Sequence, residues 1–232
     1  MITDMDDLLE QALVYHKKNS LDKAATIYQH ILEGSPKHVG ALFLMGNLNH
    51  QMGNSDKAIK QLKKVVKLNP KHVLALNNLS LICIHCQHIS EAEIYIRKSL
   101  KIASDNVDSY VIYSDILLKM GDLQRASEIC NIGLRYHAQH PGLINNYGNV
   151  FFKQRKYEKA LNFYQRAFSL SPNNIVFLIN IANVMLEIND TDSAKIIYEK
   201  ALMLDPKPET YCNLAYVYEK QDNDEMALRH YN

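Results

Sequence analysis

Apolar and polar positions along this chain recur with helical spacing. Leu76, Leu79, Ser80 and Cys83 fall at i, i+3, i+4 and i+7, one face of an α-helix, and Leu161, Tyr164, Ala167 and Phe168 mark a second such face. Short turn clusters separate these stretches: Gly53-Asn54-Ser55-Asp56, Gly121-Asp122, Asn189-Asp190-Thr191-Asp192 and Asp222-Asn223-Asp224. They predict the end of one helix and a Ser or Asp cap for the next. Pro36, Pro70, Pro172 and Pro206 stand where a second helix must stop, with Ser104 and Ala138 at the same place in two middle units. The local reading is helix A, a tight turn, then helix B.

The pattern repeats. Alanine stands at 24, 58, 92, 126, 160 and 194, each step thirty-four residues, and again at 227 after thirty-three. A second small column runs Ala12, Gly46, Ser80, Ser114, Gly148, Ala182, Ala215. A large apolar residue lies four positions before each member: Leu8, Leu42, Leu76, Tyr110, Ile144, Leu178, Tyr211. Four positions after the alanine come Tyr28, Leu62, Ile96, Cys130, Tyr164, Tyr198 and Tyr231. A period in this range is the signature of stacked supersecondary units, whose function lies in an extended surface. Antiparallel helices approach to about 8–10 Å only if bulk is missing at the crossing. The two small columns predict those crossings, and the large residues fill the flanks.

The unit Tyr147-Gly148, Phe151, Tyr157-Glu158-Lys159-Ala160, Tyr164, Ala167, Pro172 resembles the tetratricopeptide repeat, and the resemblance runs in phase from about Met5 to Asn232. There are departures. No tryptophan occupies the first large column, Gln11, Asn49, Ser104 and Ala138 replace usual residues, and the linker Pro206-Lys207-Pro208 is one residue short. The resemblance implies an all-α fold, a right-handed α-solenoid superhelix of about seven helix-turn-helix repeats. They fall at about 5–38, 39–72, 73–106, 107–140, 141–174, 175–207 and 208–232, within a single solenoid over 1–232. The last repeat is truncated at Asn232. From that open end two expectations follow, a longer protein or self-association through the uncapped C-terminal end.

In this family helix A lines the concave face. That places Asn47, Asn77, Asn145, Asn149, Asn183 and Tyr216 inward, with Asn78, Asn146, Asn180 and Asn213 one column out. A carboxamide offers a donor and an acceptor, so it can pair with both groups of a peptide unit. With A helices about 10 Å apart and an extended peptide advancing about 3.3 Å per residue, such a ladder meets every third peptide unit. A similar asparagine array lines the superhelix of O-linked N-acetylglucosamine transferase and grips protein substrates. The alternative is that these asparagines pack or cap. Other members clamp C-terminal carboxylates with inner-face lysines and an arginine. Here Leu9, Leu13, Phe43, Asn47, Asp108, Ile112, Asn145, Asn149 and Glu209 stand where such a set would fall, so no clamp is expected.

Composition adds exclusions. The chain is 47% hydrophobic and 22% charged, with a net charge of +1. That balance gives no electrostatic case for nucleic acid or an anionic membrane. No stretch approaches a membrane span, and Met1-Ile2-Thr3-Asp4-Met5-Asp6-Asp7 opens acidic and without an apolar run, unlike a secretion signal. Four cysteines suggest a reduced, cytoplasmic setting. Cys83, His85, Cys86 and His88 have zinc-like composition, yet Cys83 falls in a core column and no second cluster exists, so no metal and no cofactor are expected. Cys130 is core packing. Lys60, Lys63, Lys64, Glu91 and Glu93 read as a solvated outer face. No catalytic constellation is present. The reading is a scaffold that holds a partner peptide or helix in the concave groove. The alternative is the N-terminal substrate-recruiting arm of a larger enzyme, such as a glycosyltransferase, with its catalytic domain beyond residue 232.

Overall fold

The computed structural model describes residues 5–231; Met1–Asp4, the first part of the acidic start, and Asn232 lie outside the described residues. Among the described residues there are fourteen helices and no strand. They are α1 (Met5–Lys17), α2 (Leu21–Gly34), α3 (Val39–Gln51), α4 (Ser55–Leu68), α5 (Val73–His85), α6 (Ile89–Ile102), α7 (Val107–Met120), α8 (Leu123–Tyr136), α9 (Pro141–Lys153), α10 (Tyr157–Leu170), α11 (Ile175–Glu187), α12 (Thr191–Leu204), α13 (Pro208–Lys220) and α14 (Asp224–Tyr231). Odd-numbered helices are the A helices and even-numbered ones the B helices. The chain forms two compact units, Met1–Ile116 and Leu117–Asn232. The first holds α1 to α6 and most of α7; the second holds the end of α7 through α14. Within each unit the structure is the all-α stack of hairpins that the period predicts.

The small columns are where helices touch. Ala24, Ala58, Ala92, Ala126, Ala160 and Ala194 are fully buried, as are Ala12, Ser80, Ser114, Ala182 and Ala215. In the first unit the Ser80 hydroxyl donates to the carbonyl of Leu76 and also reaches that of Ala92 at 3.1 Å, tying α5 to α6 through the two columns. A Cβ added at Gly46 would stand 2.9 Å from Leu62 Cγ. In the second unit a Cβ at Gly148 would stand 2.6 Å from the Tyr164 ring. Around these contacts sit the cores: Leu42, Leu62, Val65 and Leu79 in the first unit, and Tyr198, Leu214 and Val217 in the second. Fully burying a side chain of this size contributes about 1.5–3 kcal/mol.

Repeat seven departs from its columns. Tyr211 is 37% exposed and Tyr231 47%. Both stand in columns that are buried or half-buried in the other repeats. Among the described residues no helix packs over α14 to cover them, whereas Thr210 stays fully buried like Ala41, Ala75, Ser109 and Leu143 in its own column.

The turns and caps also carry a rule that apolar patterning does not disclose. Asn19, Gly53, Gln87, Gly121, Arg155, Asn189 and Asp222 all adopt positive φ, between 55° and 78°, one in every A-to-B turn. Asp122 and Asp190 cap α8 and α12 through Arg125 N–H and Ser193 N–H, as expected for Asp. Asn54 precedes α4 without a side-chain cap bond, so Ser55 is the first helical residue rather than the cap. Three A helices are capped by histidine: Nδ1 of His38, His72 and His140 accepts from Ala41, Ala75 and Leu143 N–H.

Candidate functional site

The A helices place the asparagine columns at the predicted register, but many of the carboxamides are paired within the chain. In the first unit Asn78 Nδ2 donates to Asn47 Oδ1 at 2.7 Å, linking α5 to α3. Asn77 is 3% exposed and lies inside a polar knot. Its Oδ1 accepts from the hydroxyls of Ser99 and Ser109, and its Nδ2 donates to Asn106 Oδ1. Buried polar groups need such partners, because an unpaired one costs about 1–3 kcal/mol.

The second unit repeats this logic. Asn180 Nδ2 donates to Asn145 Oδ1 at 2.7 Å, and Asn145 Nδ2 donates to Asn146 Oδ1 at 3.4 Å. Asn145 and Asn146 are both buried. Asn149 Oδ1 accepts from the Tyr164 hydroxyl at 2.8 Å, and Asn183 Oδ1 accepts from the Tyr198 hydroxyl. Both tyrosines are buried, and burial pushes their phenol groups well above the ordinary range, so each stays a neutral donor.

Asn213 differs. It is half-buried and has no hydrogen-bond partner among the described residues. With Asn183 and Tyr216 it lines a groove of about 390 Å³ on the A helices of the second unit. Phe152 of α9, Leu186 and Glu187 of α11, Asn189 of the following turn, Thr191 and Tyr198 of α12, and Lys220 of α13 complete its walls. Tyr216 is 45% exposed and carries Lys220 Nζ 5.4 Å from its ring centre. Glu187 is held by the Tyr157 hydroxyl at 2.7 Å. Sequence reasoning placed Asn183, Asn213 and Tyr216 on this face; it missed Phe152, Glu187 and Lys220, which lie near the C-terminal ends of their A helices.

The cysteine–histidine segment is dispersed. All four cysteines are free, and Cys83 is fully buried with its thiol pushed up to about 11 by burial. His85 packs its ring, tilted by 32°, against His50 of α3 instead, ring centres 5.4 Å apart. His50 Nδ1 is buried without a hydrogen-bond partner, and burial, with the His85 ring beside it, lowers the His50 pKa below its ordinary 6.5. Below about pH 6.5 the unfolded chain takes a proton that the folded chain resists, so stability is full above that pH and falls as pH drops through the window. The expected result is that His50→Leu loses less of its urea midpoint than the parent between about pH 7.5 and 5. Equal losses would show that His50 is not the sensitive group.

Tetratricopeptide-repeat family models match residues 15–79 and 151–227, 114–175 and 73–106. Tetratricopeptide repeat protein 21B of Xenopus laevis is 25% identical over 96 residues, 41% of this chain and 7% of that protein. Type IV pilus assembly protein PilF of Pseudomonas aeruginosa is 24% identical over 148 residues, 61% of this chain and 58% of that one. The chain thus spans less than two thirds of the length of these relatives. A tetratricopeptide repeat protein from Parabacteroides merdae superposes with a TM-score of 0.77 at 17% identity, over 97% of this chain and 84% of that one. A chain of the APC/C hetero-tetramer Cut9-Hcn1 does so with 0.79 at 17% identity, over 92% and 42%. With one family model covering more than half of its residues, this chain belongs to the tetratricopeptide repeat family.

Proposed function

We propose that the chain holds an extended polypeptide segment against the A-helix face of its second unit. Proteins of this family generally act as protein-interaction scaffolds and bind protein partners, and no described helix is long and apolar enough to cross a membrane. The observation that carries the finer reading is Asn213: a half-buried carboxamide with no partner, beside Asn183 and Tyr216 in an open groove. Its donor and acceptor suit one peptide unit of a bound segment. Tyr216 offers a rigid aromatic contact of the kind that dominates binding energy at interfaces. Glu187 and Lys220 oppose each other in charge, so the groove sets up no positive field for nucleic acid. Free thiols fit the reduced, cytoplasmic setting expected from composition. The remaining columns, Asn47, Asn77, Asn78, Asn145, Asn146 and Asn180, serve this reading as ties that hold the A helices in register. Asn149 and Asn183 anchor the tyrosines of the B helices.

The test is a peptide-display selection on the intact chain. Selected peptides should bind Asn213→Ala/Tyr216→Ala at least about tenfold more weakly, while Asn146→Ala/Asn180→Ala lowers thermal stability and leaves affinity nearly unchanged. Peptides that bind both folded variants equally well would show that the groove is not the site.

A further inference from the structure

We propose that the B-helix face of the first unit is a second docking surface, one that takes an acidic polypeptide segment. This inference does not rest on the A-helix groove, because it uses different helices in the other unit. It begins in the sequence of α4 and the turn after it. Residues 55–71 hold six lysines and a single acid, Asp56. Lys57, Lys60, Lys64 and Lys67 recur at i, i+3, i+7 and i+10, one stripe of the helix, and all are exposed. The stripe lies opposite the face that buries Ala58, Leu62 and Val65.

The neighbouring B helix extends the stripe into a patch. α6 presents Arg97, Lys98 and Lys101, all exposed, with Lys98 and Lys101 one period beyond Lys64 and Lys67. Three acids stand near the patch: Asp56 at the start of α4, four residues before Lys60, and Glu91 and Glu93 of α6, of which Glu93 accepts from the Tyr113 hydroxyl at 3.1 Å. Glu91 bridges to Lys63 at 2.6 Å and accepts from the Tyr95 hydroxyl at 3.0 Å, which ties α6 to α4. Lys60, Lys64, Lys67 and Lys101 have no ion pair or hydrogen bond among the described residues. The chain as a whole carries only +1, so this concentration of positive charge is local.

The chemistry selects the occupant. The lysines of α4 stand about 4.5–6 Å apart along the helix axis. Carboxylates meet that spacing on an acidic helix of the same period, or on alternate residues of an extended strand, about 6.6 Å apart. Single-stranded nucleic acid calls for aromatic stacking platforms, and Tyr95, the aromatic ring of α6, is half-buried and bonded to Glu91. An anionic bilayer gains from apolar groups that reach its acyl layer. Here Ile94, 54% exposed, is shorter than the lysine side chains around it, which hold a flat surface away while a narrow polypeptide can reach between them. Ile94 then supplies the apolar contact of a polypeptide interface.

The probe is a labelled polyglutamate peptide, titrated by anisotropy into the whole chain at low and at physiological ionic strength. Phosphatidylserine–phosphatidylcholine vesicles and a DNA oligonucleotide are run beside it. Polyglutamate should bind, weaken with salt, and bind about tenfold or more weakly to Lys60→Glu/Lys64→Glu/Lys98→Glu. The equal charge change Lys153→Glu/Lys159→Glu/Lys200→Glu in the second unit should leave affinity unchanged. Gln in place of Glu at the first three positions gives an intermediate loss and guards against misfolding of the reversed variant. Peptides selected for the A-helix groove should bind all these variants alike. Equal binding of polyglutamate to the two triple variants, or tighter binding of vesicles or DNA than of polyglutamate, overturns the proposal.

Discussion

Tyr164→Ala is expected to destabilise the second unit by about 3–5 kcal/mol, the range for removing a fully buried ring. Tyr164 is 2% exposed and packs with Ala160, Ile181 and Val184. Its hydroxyl donates to Asn149. Truncation therefore opens a void and also strips Asn149 of its partner. Tyr164→Phe separates the two effects: it keeps the ring and forfeits a hydrogen bond, at about 0.5–1.5 kcal/mol. Urea unfolding followed by circular dichroism reads both. A Phe variant as damaged as the Ala variant would mean that the hydroxyl, not the ring, holds the unit together.

Gly148→Ala is expected to cost about 1–2 kcal/mol, although alanine is the better helix former. The added Cβ would fall 2.6 Å and 2.7 Å from two carbons of the Tyr164 ring and 3.3 Å from Phe163 Cβ. A ring walled in by its neighbours has nowhere to go. Repeats one and six pair Ala12 with Tyr28 and Ala182 with Tyr198, so an alanine–tyrosine contact is possible in this fold. What Gly148 permits is a closer approach of α9 to α10, and alanine would push them apart. Combining Gly148→Ala with Tyr164→Leu removes the ring that the new Cβ meets, so the double variant should lose less than the two single changes summed. Thermal melts of the single and double variants decide the matter; a single variant as stable as the parent would refute the close-contact account.

The fold was legible in the sequence because steric exclusion acts through residue size. Only Gly, Ala or Ser fits at a helix crossing, so the crossings appear as columns. The site was less legible. Register locates an asparagine on an inner helix, but it does not say whether the neighbouring repeat offers a partner. Asn77 meets Ser99, Ser109 and Asn106, all outside its column, and so became interior. Asn213 occupies the column of Asn78 and Asn180 and meets no partner. The histidine caps escaped for a related reason. Histidine is not a habitual capping residue, and only the geometry shows Nδ1 of His38, His72 and His140 accepting an amide hydrogen. Gln87 and Arg155 gave no hint of left-handed backbone, because a helical hairpin can force that conformation on a residue that does not favour it.

That shared left-handed corner bears on how such a chain can change over generations. Each hairpin reverses direction at the same point and through a residue of positive φ, whatever side chain stands there. Copying or deleting one whole period would therefore hand the following helix the same starting direction it had before. Gene duplication and unequal recombination can lengthen or shorten the array without inventing a new bend, provided the cut respects the thirty-four-residue phase.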